Sequence, residues 1–192
     1  MRRNYCLAWR GARRVTIAVT SDGNVKGRVE RVVDYAELHV TRTATVAAPP
    51  EAVFGIIADV TRIGELSPVC KAAWWDEGAE PDQGSAPREG TWFTGRNEMP
   101  GRDPWERRCE IVLVEPGRAL GWVAGGRDEG VAEWTYRFRP AGDGTEVEES
   151  WRIIRDDERI TGLGDDALKG LMTMTETGIE TTLANLKKVA ES

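Results

Sequence analysis

The closing stretch of the chain restricts its fold more than any other. From Asp165 to Ala190, the residues Leu168, Leu171, Met172, Thr175, Ile179, Leu183 and Leu186 recur at three- and four-residue steps. That spacing predicts one apolar face on an α-helix. Asp165 and Asp166 stand at its start and Lys187 and Lys188 near its end, the charge order that a helix dipole favours. At about 1.5 Å per residue the helix is roughly 40 Å long. An apolar stripe of that length has to be buried on something equally long.

The rest of the chain offers only one candidate. "YAELHVTRTATVAA" alternates as a strand does, and Pro50 opens a short helix with Val53, Phe54, Ile56 and Ile57 on its apolar side. A second short helix spans 59–66 and stops before Pro68. Six further strands are expected over 69–75, 90–97, 105–115, 119–124, 131–139 and 145–154. Turn sequences divide them: "PGRDP", "EPGR" and "PAGDGTE", the last with the hairpin signal Asp143-Gly144. Short connections imply antiparallel neighbours. The expected fold is therefore α+β: a curved antiparallel sheet of about seven strands around a long C-terminal helix, with two short helices after the first strand. This domain covers residues 35–192. Residues 1–34 are arginine-rich and read as a loosely ordered basic extension.

Composition removes several functions. The 192 residues carry a net charge of -6, which argues against general nucleic-acid binding. No apolar run is long enough for an integral membrane helix. The cysteines Cys6, Cys70 and Cys109 lack metal-ligand spacing, and their odd number suits a reducing, cytoplasmic setting. There is one histidine, His39, on the polar parity of its strand, so neither a metal site nor a cofactor is expected. Seven of the eight tryptophans lie between Trp74 and Trp151, close to one per strand.

Strand parity shows where those aromatic residues point. Ala132, Trp134, Tyr136 and Phe138 share one face, as do Val147, Glu149, Trp151 and Ile153. Trp105, Arg107, Cys109, Ile111 and Leu113 form another such set, and Phe93 shares its side with Gly95 and Asn97. Four polar residues thus fall on the apolar side: Arg42, Asn97, Arg107 and Glu149. Glu149 either pairs with Arg107 or Arg42, or reaches water at a sheet edge, or faces a cavity with apolar walls and a few polar anchors.

Together the segments "TVAAPPEAVFGIIADV", "SPVCKAAWWDEG", "GTWFTGRNE", "WERRCEIVLVEPGRALGWV", "EWTYRFRPAGDGTEVEESW" and the closing helix resemble the SRPBCC (START/Bet v 1-like) superfamily, in its polyketide cyclase/dehydrase-like branch. The resemblance covers about residues 36–190. It implies a helix-grip fold with a deep pocket between sheet and C-terminal helix, and lipophilic ligands. One segment departs from the common pattern: "RIGEL" at 62–66 stands where many relatives carry a tryptophan-rich "WxxW".

Three functions follow as expectations. The first is binding of a hydrophobic small molecule (lipid, polyketide or aromatic metabolite) by a monomer or homodimer. Phe93, Asn97, Trp105, Cys109, Trp134, Tyr136, Trp151, Met172 and Ile179 are the expected lining. The second is a cyclase/dehydrase-type enzyme. There Glu149 removes a proton beside a ketone, Arg107 or Asn97 holds the developing enolate oxygen, and Tyr136 acts as general acid. The third is a module that binds another protein.

Overall fold

The computed structural model describes residues 37–82 and 84–192, Thr161 without its side chain, and the backbone of two earlier segments. Those segments, β1 (Arg14–Val19) and β2 (Val25–Glu30), pair antiparallel as a two-stranded ladder. The remainder of the extension expected over 1–34 lies outside the described residues.

The alternating stretch "HVTRTATV" forms β3 (His39–Val46). Pro50 then starts α1 (Pro50–Ala58), where its missing N–H costs nothing, and the helix buries Val53, Phe54, Ile57 and Ala58. A 3₁₀ turn over Val60–Arg62 leads into α2 (Ile63–Leu66). The strands follow as β4 (Cys70–Trp75), β5 (Trp92–Met99), β6 (Arg102–Glu115), β7 (Ala119–Ala124), β8 (Ala132–Ala141) and β9 (Gly144–Ile153). Single-turn helices α3 (Gly126–Glu129) and α4 (Glu158–Thr161) interrupt the sequence, and α5 (Asp165–Ala190) ends it with the boundaries its stripe predicts.

The seven strands pair throughout as antiparallel neighbours in the order β3-β9-β8-β7-β6-β5-β4. Six form a meander, and the first joins its far end beside the last. This is the helix-grip arrangement: α5 lies in the bend of the sheet, packed chiefly along β3. Leu168, Ile179, Leu183 and Leu186 of this helix are buried. Polar ties fix the C-terminal half of α5. Asn185 Nδ2 donates to the Leu66 carbonyl at 2.9 Å and Lys187 Nζ to the Thr45 carbonyl at 2.9 Å, while Glu191 Oε1 accepts from Ala47 N at 2.7 Å.

Two expected boundaries shift, each for a local reason. "PGRDP" is not all turn. Pro100 and Gly101 turn, with Gly101 at φ 76, and the strand resumes at Arg102. The pairing slips between Asn97 and Met99, and that irregularity admits Pro104 next to a paired strand. β8 runs through Pro140 because Pro140 still pairs in register with Thr145.

Among the described residues no helix is long and apolar enough to cross a membrane. The convex face of the sheet is charged. Arg152 pairs with Glu133, and Arg139 with Glu146 and Glu148. Trp92 points to this side. The Arg108 guanidinium sits 4.2 Å from its ring centroid, and Gly126 packs so closely on the indole that no Cβ would fit.

Candidate functional site

The concave side of the sheet does not close completely on α5. A cavity of about 290 Å³ remains between them, close to the lower end of the roughly 300–1,000 Å³ typical of small-molecule sites. Its floor is a row of rings. Phe93 meets Trp122 with centroids 5.7 Å apart and Trp122 meets Tyr136 at 5.5 Å, and outside the cavity Trp75 continues the row against Phe93 at 6.0 Å. The row crosses the sheet from β4 to β8. It ends at Glu149 on β9, the register partner of Tyr136.

Glu149 is 2% exposed. It accepts a hydrogen bond from the Tyr136 hydroxyl, and its Oε2 has no partner. Burial pushes the carboxyl up to about 8, and the bond from Tyr136 opposes this only in part. Burial likewise raises the Tyr136 phenol well above its ordinary range, and the neighbouring carboxyl adds to the rise. The carboxyl is therefore mostly protonated at neutral pH. Glu149 borders a space whose other inner walls are Phe93, Trp122, Trp134 and Ile57.

The ion pair considered for Glu149 does not form. Arg42 is its register partner across β3 and β9, but the Arg42 guanidinium pairs with Glu176 and Glu180 on α5. Arg107 stands on β6, three strands from β9, or roughly 14 Å across the sheet at the usual strand spacing. The causes of the Glu149 shift are burial and Tyr136, with no contribution from either arginine.

At the other end the cavity opens. Asn97, Met99, Arg102, Trp105 and Arg107 line it there, with Met174 from α5. Asn97 Nδ2 donates to the Gly95 carbonyl at 3.2 Å, which fixes its amide against its own strand. The Arg102 guanidinium lies 4.0 Å from the Trp105 ring centroid. Arg107 is exposed, and its charge adds to that of Arg159, the main cause, in holding the Asp157 carboxyl down to about 2.

One wall comes from the "RIGEL" segment. Ile63 and Leu66 face the cavity, and Gly64 lies so close to the Lys71 carbonyl that α2 could not seat with a side chain there. Ser67 Oγ accepts from Val69 N at 3.1 Å and Cys70 N at 2.9 Å, and this orders the loop that carries Pro68 and Val69. Cys70 and Cys109 also line the space. Burial raises both thiols, that of Cys109 to about 12, so neither supplies a thiolate nucleophile at neutral pH.

The sequence-predicted residues divide cleanly. Phe93, Asn97, Trp105, Cys109, Trp134, Tyr136, Glu149 and Arg107 all line the cavity. Trp151, Met172 and Ile179 do not. Trp151 and Ile179 are buried in the core, and Met172 packs against it. The helix turns the stripe residue Thr175, with Met174, Gly178 and Thr182 beside the stripe, to the cavity. The clue was the small residues flanking the stripe. Trp122 was missed because "ALGWVA" is apolar on both faces, so parity does not choose between them.

The family described as polyketide cyclase / dehydrase and lipid transport matches residues 37–191. The chain belongs to this family. No curated protein matches the chain. Among solved structures, a polyketide-cyclase-like protein from Corynebacterium glutamicum is 34% identical, with a TM-score of 0.55, over 80% of this chain and 91% of that one. The di-domain ARO/CYC StfQ from the steffimycin biosynthetic pathway is 16% identical, with a TM-score of 0.63, over 82% of this chain and 52% of that one. A protein from Nitrosomonas europaea is 17% identical, with a TM-score of 0.60, over 83% of this chain and 97% of that one. The last two show the shared fold.

Proposed function

We propose that this chain binds a hydrophobic small molecule between the sheet and α5, with Glu149 and Tyr136 as its inner polar anchor. The observation that carries this reading is a buried carboxyl with one unpartnered oxygen, Glu149, among the residues that line an apolar cavity. A buried polar atom without a hydrogen bond costs about 1–3 kcal/mol. A ligand hydroxyl or carbonyl placed there removes that cost. The fluorescence of Trp105, Trp122 and Trp134 reports on occupancy. Titration with a panel of neutral and acidic lipids and fused-ring aromatics should give saturable changes for at least one class. An unresponsive protein, together with a ligand-free native mass spectrum from its own host, would leave the protein-binding module as the better account.

A second reading has its own support. A carboxyl held at about 8 titrates near neutrality, as a general base for a carbon acid should. In a cyclase/dehydrase-type reaction Glu149 would take the proton beside a ketone, and Asn97 or Arg107 would hold oxygens nearer the mouth. Tyr136 would act through Glu149, to which its hydroxyl is already committed. Family membership and the fold shared with an ARO/CYC protein favour this reading. Glu149→Gln separates the two: loss of turnover of a poly-β-ketone substrate with unchanged affinity supports catalysis.

A further inference from the structure

The charges around the cavity are unequally placed. Among the described residues Glu149 is its only acidic lining residue, and it sits at the closed end. Two cations, Arg102 and Arg107, line the open end. Neither arginine forms an ion pair within the structure's described residues. The nearby Asp157 carboxylate is engaged by Arg159, at 2.8 Å to Nε. Arg102 is braced on Trp105, which keeps a long side chain over the entrance. Between the two ends the walls are aromatic and aliphatic.

We propose that the ligand is an elongated amphiphile with an oxyanion head. The head lies at Arg102 and Arg107, the apolar body runs along the ring floor, and an oxygen function reaches toward Glu149. This rests on the binding reading above and specifies its ligand class. Guanidinium groups recognise carboxylate and phosphate through paired N–H donors. An acid directed inward would instead meet a wall of rings and another carboxyl. The span from β9 to β6, roughly 14 Å, asks for a body longer than a single ring system.

The test compares 1-dodecanol, dodecanoate and dodecyl phosphate below their micellar concentrations, read by tryptophan fluorescence on the full chain. At least one anion should bind about tenfold or more tighter than the alcohol, and about 0.5 M salt should shrink the preference, since charges at the mouth are screened. In Arg102→Gln/Arg107→Gln the ratio should fall below about threefold. Both arginines are exposed, so the double variant keeps the fold, which circular dichroism checks. Whichever anion is preferred separates a carboxylic acid from a phosphate ester. Equal binding of alcohol and anions, or a preference that survives the double variant, overturns the proposal while the binding reading stands. Silence with all three probes, alongside a response to neutral ligands, also overturns it alone. Silence with every ligand removes both.

Discussion

Arg42 and Glu149 stand opposite each other on β3 and β9, yet they do not share their charges. The helix takes the arginine: Glu176 and Glu180 hold its guanidinium at the rim, where its side chain is 38% exposed. Glu149 is left to the apolar interior. Arg42→Met should therefore leave the titration of Glu149 within about 0.3 pH units of the wild type, since exposed ion pairs of this kind are worth about 0–1 kcal/mol and act on α5, not on the acid. Chemical denaturation should show a loss no larger than that. A rise of a full unit in the Glu149 midpoint, followed by carboxyl-resolved NMR, would mean that Arg42 does neutralise it.

Glu149 also makes stability depend on pH with a defined sign. In the fold its carboxyl holds the proton up to about pH 8; unfolded, it returns to about 4.5. Between these values the native state binds more protons, so the contribution of Glu149 to stability falls as pH rises. The loss begins above the unfolded value and is complete above about 8. Glu149→Gln cannot ionise. Its stability relative to wild type should rise by up to roughly 1.4 kcal/mol per pH unit across that window and then level off. Urea melts from about pH 5.5 to 9 measure this difference; a flat one would show that the acid is hydrated or paired in solution.

Much of this could be read from residues alone, and the failures have physical causes. The parity of β8 and β9 gave Tyr136 and Glu149 directly because polar residues alternate with apolar ones there. Parity lost its power in β7, where both faces are apolar and Trp122 could not be placed. It failed again in β4, whose register shifts between Cys70 and Ala72 and brings Cys70 to the cavity. The α5 stripe was correct as a stripe. Its centre packs on β3, and only its small-residue edge borders the empty space, a rotation of the helix that spacing does not encode. Arg42 was given the right face and the wrong partner, since helix carboxylates from 134 and 138 residues later in the chain cannot be seen from a strand.

Gly95 shows how closely the cavity wall is fitted. A Cβ there would lie 3.1 Å from Cys70 Sγ. Gly95→Ala should therefore cost about 1 kcal/mol by pushing the thiol, within the usual range for overpacking. Cys70→Ala in the same background should recover most of that loss, with a coupling energy of at least about 0.5 kcal/mol in a double-mutant cycle. Additive effects would show that the alanine is accommodated without contact.

Gly178 makes the opposite case, on the facing helix. It lies mid-way along α5 and lines the cavity, and a Cβ added there meets nothing within 4 Å. Glycine in a helix interior is about 0.8–1.0 kcal/mol less favourable than alanine. Gly178→Ala should therefore stabilise the protein by roughly that amount, since nothing opposes the methyl group. Gly178→Phe should retain the fold but fill the space between α5 and the ring floor, lowering ligand affinity by about tenfold or more. Thermal unfolding and tryptophan fluorescence titration test the two substitutions together. If phenylalanine leaves binding intact, the ligand does not occupy this cavity. If alanine fails to stabilise, the helix bends at Gly178 in solution, and the glycine serves the backbone instead of the space beside it.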